Sequence, residues 1–197
     1  IRVFTYPRPP VSRRRAILVA IENAGAIPFD LNISHELMAV VTRVVDQIGE
    51  WGEHNNCKNL LTGYYHHVEF LIDFDCTKDN IKQCIARLGK EYILDMTILG
   101  HGGVHNGEGV LILNNGMPNW YSNSVNLFER DVLSWASLTE FQGLRLGLVY
   151  MMNCMGSKFN DTWLQLGFKT SVGSENNNWM PEPMFTYFWN RYRNGET

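Results

Sequence analysis

The feature that most constrains this chain is a series of short apolar runs, several of which stop at glycine-containing turns. Ala16 to Ile21, Val68 to Phe74, Ile93 to Leu99, Leu144 to Met152 and Phe168 to Gly173 have strand length. Near-continuous apolarity at that length fits strands covered on both faces. Between them, apolar residues recur at helical spacing. Leu37, Val41, Val44, Val45 and Ile48 form one set, with Ser34 as N-cap and Gly49 as the stop. Thr77 caps a second set, Ile81, Cys84, Ile85 and Leu88, ended by Gly89. Gly109 to Leu113, with Asn114-Asn115-Gly116, reads as a strand and a hairpin turn. Asn126 and Glu129 have capping-box spacing at the head of a helix through about Leu138. Trp163, Leu164 and Leu166 mark a helix stopped by Gly167, and Pro181 opens one whose Met184, Phe185, Phe188, Trp189 and Tyr192 share a face, finished by Arg191, Arg193 and Gly195. Residues 50–66 follow no period. Strands alternating with helices predict an α/β fold, a mostly parallel sheet with helices on both faces.

A chain of 197 residues fits a single domain. Residues 1–12, with Pro7, Pro9 and Pro10, read as an extended lead-in, and 13–197 as the domain. Arg13-Arg14-Arg15 is expected to form a solvated edge. The formal net charge of −3 argues against a nucleic-acid partner, and no apolar run reaches membrane-spanning length. The sequence opens at Ile1 rather than Met, so a preceding segment is expected and the compartment, cytoplasmic or secreted, stays open. Cys57, Cys76, Cys84 and Cys154 form no C-x-x-C pair or zinc spacing. The first three read as buried or incidental thiols. His66-His67 on a strand would point to opposite faces, a poor joint metal site.

Chemistry concentrates where two apolar runs end. Leu99-Gly100-His101-Gly102-Gly103 follows one, and Asn153-Cys154-Met155-Gly156 follows another. Ligands in an open parallel sheet sit at the carboxyl ends of strands, and neighbouring strands lie about 4.8 Å apart. If these two strands are neighbours, His101 and Cys154 can meet. A thiol with a pKa near ~8.5 needs an adjacent base to become a nucleophile at neutral pH. Alone, each residue has a plainer reading: a turn histidine, and a core thiol at a strand end. His101 and His105 are four apart, but Gly102-Gly103 breaks a helix between them and no third ligand stands out, so no metal is expected. The His-Gly-Gly of an esterase would need a G-x-S-x-G elbow, which the chain lacks. Asn32-Ile33-Ser34 and Asn160-Asp161-Thr162 match a glycosylation sequon of the kind that arises by chance.

Strand-His-Gly followed by strand-x-Cys-x-Gly resembles the caspase-like cysteine peptidases, among them caspases, metacaspases, legumain, clostripain, gingipain and separase. The spacer, 154 − 101 = 53 residues, suits that family. Ile17 to Asn23 resembles its first strand, Gly107 to Gly116 its hairpin after His-Gly, and Gly167 to Ser174 its fifth strand. The resemblance spans about residues 16–190. It implies a caspase-like three-layer sandwich and a cysteine endopeptidase acting on a protein or peptide. Cys154 would be the nucleophile and His101 the general base and acid. The N–H groups of Gly102 and Cys154 would form the oxyanion hole. No cofactor is implied, although some members respond to calcium.

Met152 stands where caspases have Gln and where legumain and metacaspases have an acid, and Asn153 where caspases have Ala. The expectation is an apolar or neutral specificity pocket at Met152, with Ser174 and Glu175 as further substrate contacts and Glu175 able to favour Lys or Arg. No clear sixth strand precedes Thr197, so the domain is expected to be completed by a further segment or left short. Two alternatives stay open: a catalytically silent caspase-like scaffold or binding module, and a zymogen awaiting cleavage, an activating partner or further domains.

Overall fold

The computed structural model describes residues 14–22, 51–114, 124–177 and 182–196. The lead-in, the helix capped by Ser34, the first sequon, the Asn115-Gly116 turn and the Pro181 helix start lie outside the described residues. Within them the elements run β1 (Arg15–Glu22), α1 (51–61), β2 (His67–Ile72), α2 (Lys78–Glu91), β3 (Ile93–Gly100), β4 (Gly102–His105), β5 (Glu108–Asn114), β6 (Ser124–Phe128), α3 (Glu129–Trp135), β7 (Leu146–Met151), α4 (Asn160–Leu166), β8 (Thr170–Gly173) and α5 (Met184–Asn194).

Five strands form one sheet in the order β2-β1-β3-β7-β8, with every pairing parallel. Alternate residues face opposite layers, as the pleat requires. Ala16, Leu18 and Ala20 of β1 join Met96, Ile98 and Met151 under α2, α3 and α4. Ile17, Val19 and Ile21 join Leu99, Leu148 and Tyr150 against α1 and α5, where Cys57, Leu61, Phe185 and Trp189 are buried. The molecule is thus a three-layer α/β structure. β4, β5 and β6 make a separate antiparallel sheet. It is tied to the main sheet where Ile112 N–H donates to His101 O at 3.0 Å and Asn114 N–H to Cys76 O at 3.1 Å.

Several local expectations change. α1 occupies part of the stretch with no readable period; over residues 51–61 Cys57, Leu60 and Leu61 are the apolar residues packed inward, His54 packs edge-on against Phe70, and Trp51 is exposed. The second strand ends at Ile72, because Asp73 adopts φ 50° and opens a 3-10 turn. α2 begins at Thr77, whose hydroxyl accepts Asn80 N–H at 3.1 Å, but it runs past Gly89 to Glu91. Gly89 is a packing residue instead: a methyl group built there would sit 3.1 Å from Leu146 Cδ2. Asn126 is a strand residue of β6, and α3 starts after Phe128, whose N–H donates to Asp131 Oδ2 at 2.9 Å. α3 stops at Trp135, short of Leu138. Gly167 and Gly195 do end α4 and α5, at φ 118° and 75°.

The solvated-edge expectation for the arginines fails at Arg15. Its guanidinium pairs with Asp95, which is fully buried in β3. Asp95 also accepts Tyr65 O–H at 2.8 Å and Leu148 N–H at 2.9 Å, and Tyr192 O–H donates to Arg15's partner oxygen at 3.5 Å. Burial opposes the charge on Arg15, yet Asp95, together with Tyr192 and Tyr65, offsets it and holds the guanidinium pKa above its ordinary value. A buried carboxylate in an apolar strand is tolerable only with such a set of partners.

Asp95 also sets strand register. Leu94 pairs with Leu146, but Met96 pairs with Val149, so β7 carries one extra residue opposite Asp95. The carboxylate takes the Leu148 N–H there. Gly147 makes the room, since a methyl group on it would lie 2.2 Å from Asp95 Oδ1.

Asp95→Asn should leave Arg15 without its counter-charge and cost about 3–5 kcal/mol. Urea unfolding of the two proteins measures this; a loss under ~1 kcal/mol would show that the pair contributes little.

Candidate active site at the carboxyl edge

β3 and β7 are neighbours, which meets the condition set by the sequence. After the shift at Asp95 the offset between them is 149 − 96 = 53, and Ile98 pairs with Met151 at the same offset. His101 and Cys154 are separated by the same 53 residues and lie in the turns that follow β3 and β7, beyond Gly100 and Met151. Met152 N–H still donates to Ile98 O at 3.0 Å, so the exit from β7 remains tied to β3.

The two turns touch through backbone. A methyl group on Gly102 would lie 2.4 Å from Asn153 Nδ2, 2.9 Å from Cys154 O and 3.0 Å from Val110 O. No side chain fits at residue 102, which is a steric reason for the glycine after His101. Ile112 N–H bonds His101 O, and Gly102 is the next residue in the ladder, opposite Leu111. Hydrogen-bonded pairs alternate along an antiparallel ladder, so Gly102 N–H faces away from β5. On the other side, Met155 N–H donates to Asn176 O at 3.1 Å and Ser157 N–H to Ser174 O at 2.9 Å. Gly173 allows this contact, since a methyl group there would fall 2.3 Å from Gly156 C. Met155 itself takes a left-handed φ of 55°, a conformation costly for a residue with a Cβ.

Of the four cysteines, Cys57, Cys76 and Cys84 are buried and Cys154 is half-buried; none is in a disulfide. Burial, aided by Glu53 and Glu182, pushes the Cys57 thiol well up. Burial and then Glu69, which accepts the Cys84 S–H at 3.0 Å, push Cys84 up to about 11. Both are held as thiols at neutral pH, away from the carboxyl edge. His101 is half-buried, and its Nε2 is buried without a hydrogen-bond partner among the described residues. Burial lowers its pKa from the ordinary 6.5 and so favours the neutral ring, the form a base requires.

The remaining expected residues are placed as follows. Met152 is partly buried against the α1/α5 layer, so its side chain belongs partly to the core. Ser174 and Glu175 lie on the loop bonded to the Cys154 turn; Ser174 O–H donates to Asn176 O at 2.8 Å, and Glu175 is exposed. His105 is exposed on β4, with its ring 6.1 Å from that of Phe128. His66 Nδ1 accepts Arg15 N–H at 3.3 Å, while His67 bonds Glu69 at 3.1 Å. Among the described residues no group of three or more His, Cys, Asp or Glu could hold a metal ion, and no helix is long and apolar enough to cross a membrane. The second sequon is built into the fold: Thr162 is buried, and Asn160 Oδ1 accepts Ser171 O–H at 2.9 Å. Asn153, singled out in the sequence only as a departure from caspases, lies buried at the contact with Gly102; the available signal was a polar side chain between an apolar strand and a cysteine.

No protein-family model and no characterised protein sequence matches this chain.

The depressed His101 pKa has a definite sign in stability. On acidification the unfolded ring takes its proton first, near pH 6.5, and the folded ring later. The neutral ring's contribution is therefore complete above pH 6.5 and is lost as the pH falls below it. NMR titration of the ring should give a midpoint below 6.5; a midpoint at or above it would refute the burial argument.

Proposed function

We propose that the protein is a cysteine endopeptidase with a caspase-like fold, in which Cys154 is the nucleophile and His101 the general base and acid. The observation that supports this best is that β3 and β7 are parallel neighbours, so the turns carrying His101 and Cys154 leave the same edge of the sheet and come into close contact at Gly102. The order of the parallel sheet, the layers on both faces and the small antiparallel sheet after His101 support the resemblance of the motifs.

In this reading His101 accepts the Cys154 thiol proton, and the sulfur attacks the peptide carbonyl carbon. The carbonyl oxygen gains charge beside the N–H groups of Gly102 and Cys154. One such donor is typically worth ~10²–10³ in rate, roughly 3–4 kcal/mol. His101 then passes its proton to the departing amine. It next takes one from the water that attacks the thioester, and returns it to the sulfur as the acid leaves. None of these steps draws on a cofactor. Met152, Ser174 and Glu175 would contact the residue before the scissile bond. An apolar wall at Met152 and an exposed acid at Glu175 favour a neutral or basic side chain there over an acidic one.

Labelling with a peptidyl acyloxymethyl ketone tests the assignment. The probe should modify Cys154 and be lost in Cys154→Ala, and Cys84→Ala should label normally. His101→Ala should lower turnover of a fluorogenic peptide by about 10²–10⁴-fold. If the probe leaves Cys154 unmodified while a neutral alkylating reagent reaches it, the chain is a scaffold or requires activation, and the proposal fails for this form. Strict cleavage after Asp would overturn the substrate reading alone.

A further inference from the structure

Asn153 is 1% exposed, between the end of an apolar strand and the candidate nucleophile. Its Nδ2 donates to Cys154 O at 3.0 Å. Its Oδ1 is buried with no hydrogen-bond partner among the described residues. A buried acceptor left in this way costs about 1–3 kcal/mol, so a small apolar residue would serve folding better. The side chain combines three things, of which an apolar residue of the same size would do only the second. It fixes the direction of the Cys154 carbonyl, and with it the peptide plane that leads into the left-handed Met155. It occupies the space that any side chain at residue 102 would need, 2.4 Å from where that Cβ would sit. It also keeps a polar atom close to the His101 turn, where His101 Nε2 is likewise buried without a partner.

We propose that Asn153 is a positioning residue for the reaction at Cys154: its amide keys the Cys154 turn against Gly102 and so sets the spacing of the two backbone N–H groups that receive the oxyanion. This rests on the cysteine-peptidase reading. Asn153 does not contact the substrate carbonyl. It acts through the carbonyl of Cys154 and the backbone of Gly102. The donor Nδ2 is the essential atom, because an acceptor in its place would face the Cys154 oxygen and push the turns apart.

The test compares Asn153→Ala and Asn153→Asp with the unaltered chain, using a fluorogenic peptide across pH 5–9 and the ketone probe. Asn153→Ala should lose about 10–100-fold in kcat, the scale of a 1 Å misplacement, with KM changed less than ~3-fold. Asn153→Asp keeps the shape but is a donor only when protonated. Its activity relative to the unaltered chain should therefore climb as the pH is lowered, a response that loss of packing alone would not give. An Asn153→Ala variant within two-fold of the original kcat, or an Asn153→Asp ratio that is flat with pH, would overturn the proposal while leaving the peptidase intact. Absence of Cys154 labelling in the unaltered chain would instead remove the peptidase reading, and this inference with it.

Discussion

The Asp95 carboxylate is the interaction on which the arrangement of this protein depends. It lies in the middle of an apolar strand, fully out of water, and draws on β1 through Arg15, on Tyr65 before β2, on β7 through Leu148 N–H and on α5 through Tyr192. The Coulomb gain from Arg15 works mainly against the desolvation of both groups, so the cluster is weak evidence for net stability. Its structural effect is more specific. By taking a ladder N–H for itself, Asp95 inserts one residue into β7, and everything beyond that point is paired at the shifted register. The carboxyl edge, more than 10 Å further along the strand by its rise per residue, inherits that alignment.

Close backbone approach shapes that edge. Gly102 and Gly173 each stand where a Cβ would collide with the Cys154 turn, from opposite sides. The turn is therefore clamped between the loop after β3 and the loop after β8, and the non-glycine Met155 is held left-handed within the clamp. A turn held by contacts on both sides suits the proposed reaction, in which charge develops on one oxygen. The neutral, half-buried imidazole of His101 suits the same chemistry.

Much of this was legible in the sequence. The runs Ala16 to Ile21, Ile93 to Leu99 and Leu144 to Met152 are apolar at nearly every residue because both faces are covered, and they map onto β1, β3 and β7. Thr77, Gly167 and Gly195 signalled helix ends through local chemistry alone. Features set by distant partners were not legible. Arg15 looked solvated in a basic triplet because its counter-ion lies 80 residues away. α1 turns only a few apolar residues inward, too few to show a period. β4 and β6 are short, and Asn126 imitated a helix cap while lying in a strand paired to β5. His101 and Cys154 could be picked out from their motifs; the register of the strands that carry them could not, since the extra residue opposite Asp95 is a tertiary event.

That extra residue separates folding from assembly of the site in an unusual way. A variant that lost the insertion could keep every strand and every helix, and so give a little-changed circular dichroism spectrum. One residue of slippage would nevertheless turn the side chains of β7 to the opposite layer and move the Cys154 turn by one residue against the His101 turn. For this molecule, bulk measures of foldedness are blind to the alignment that matters most. A probe that reads thiol reactivity, or a cross-link between the two turns, reports it directly.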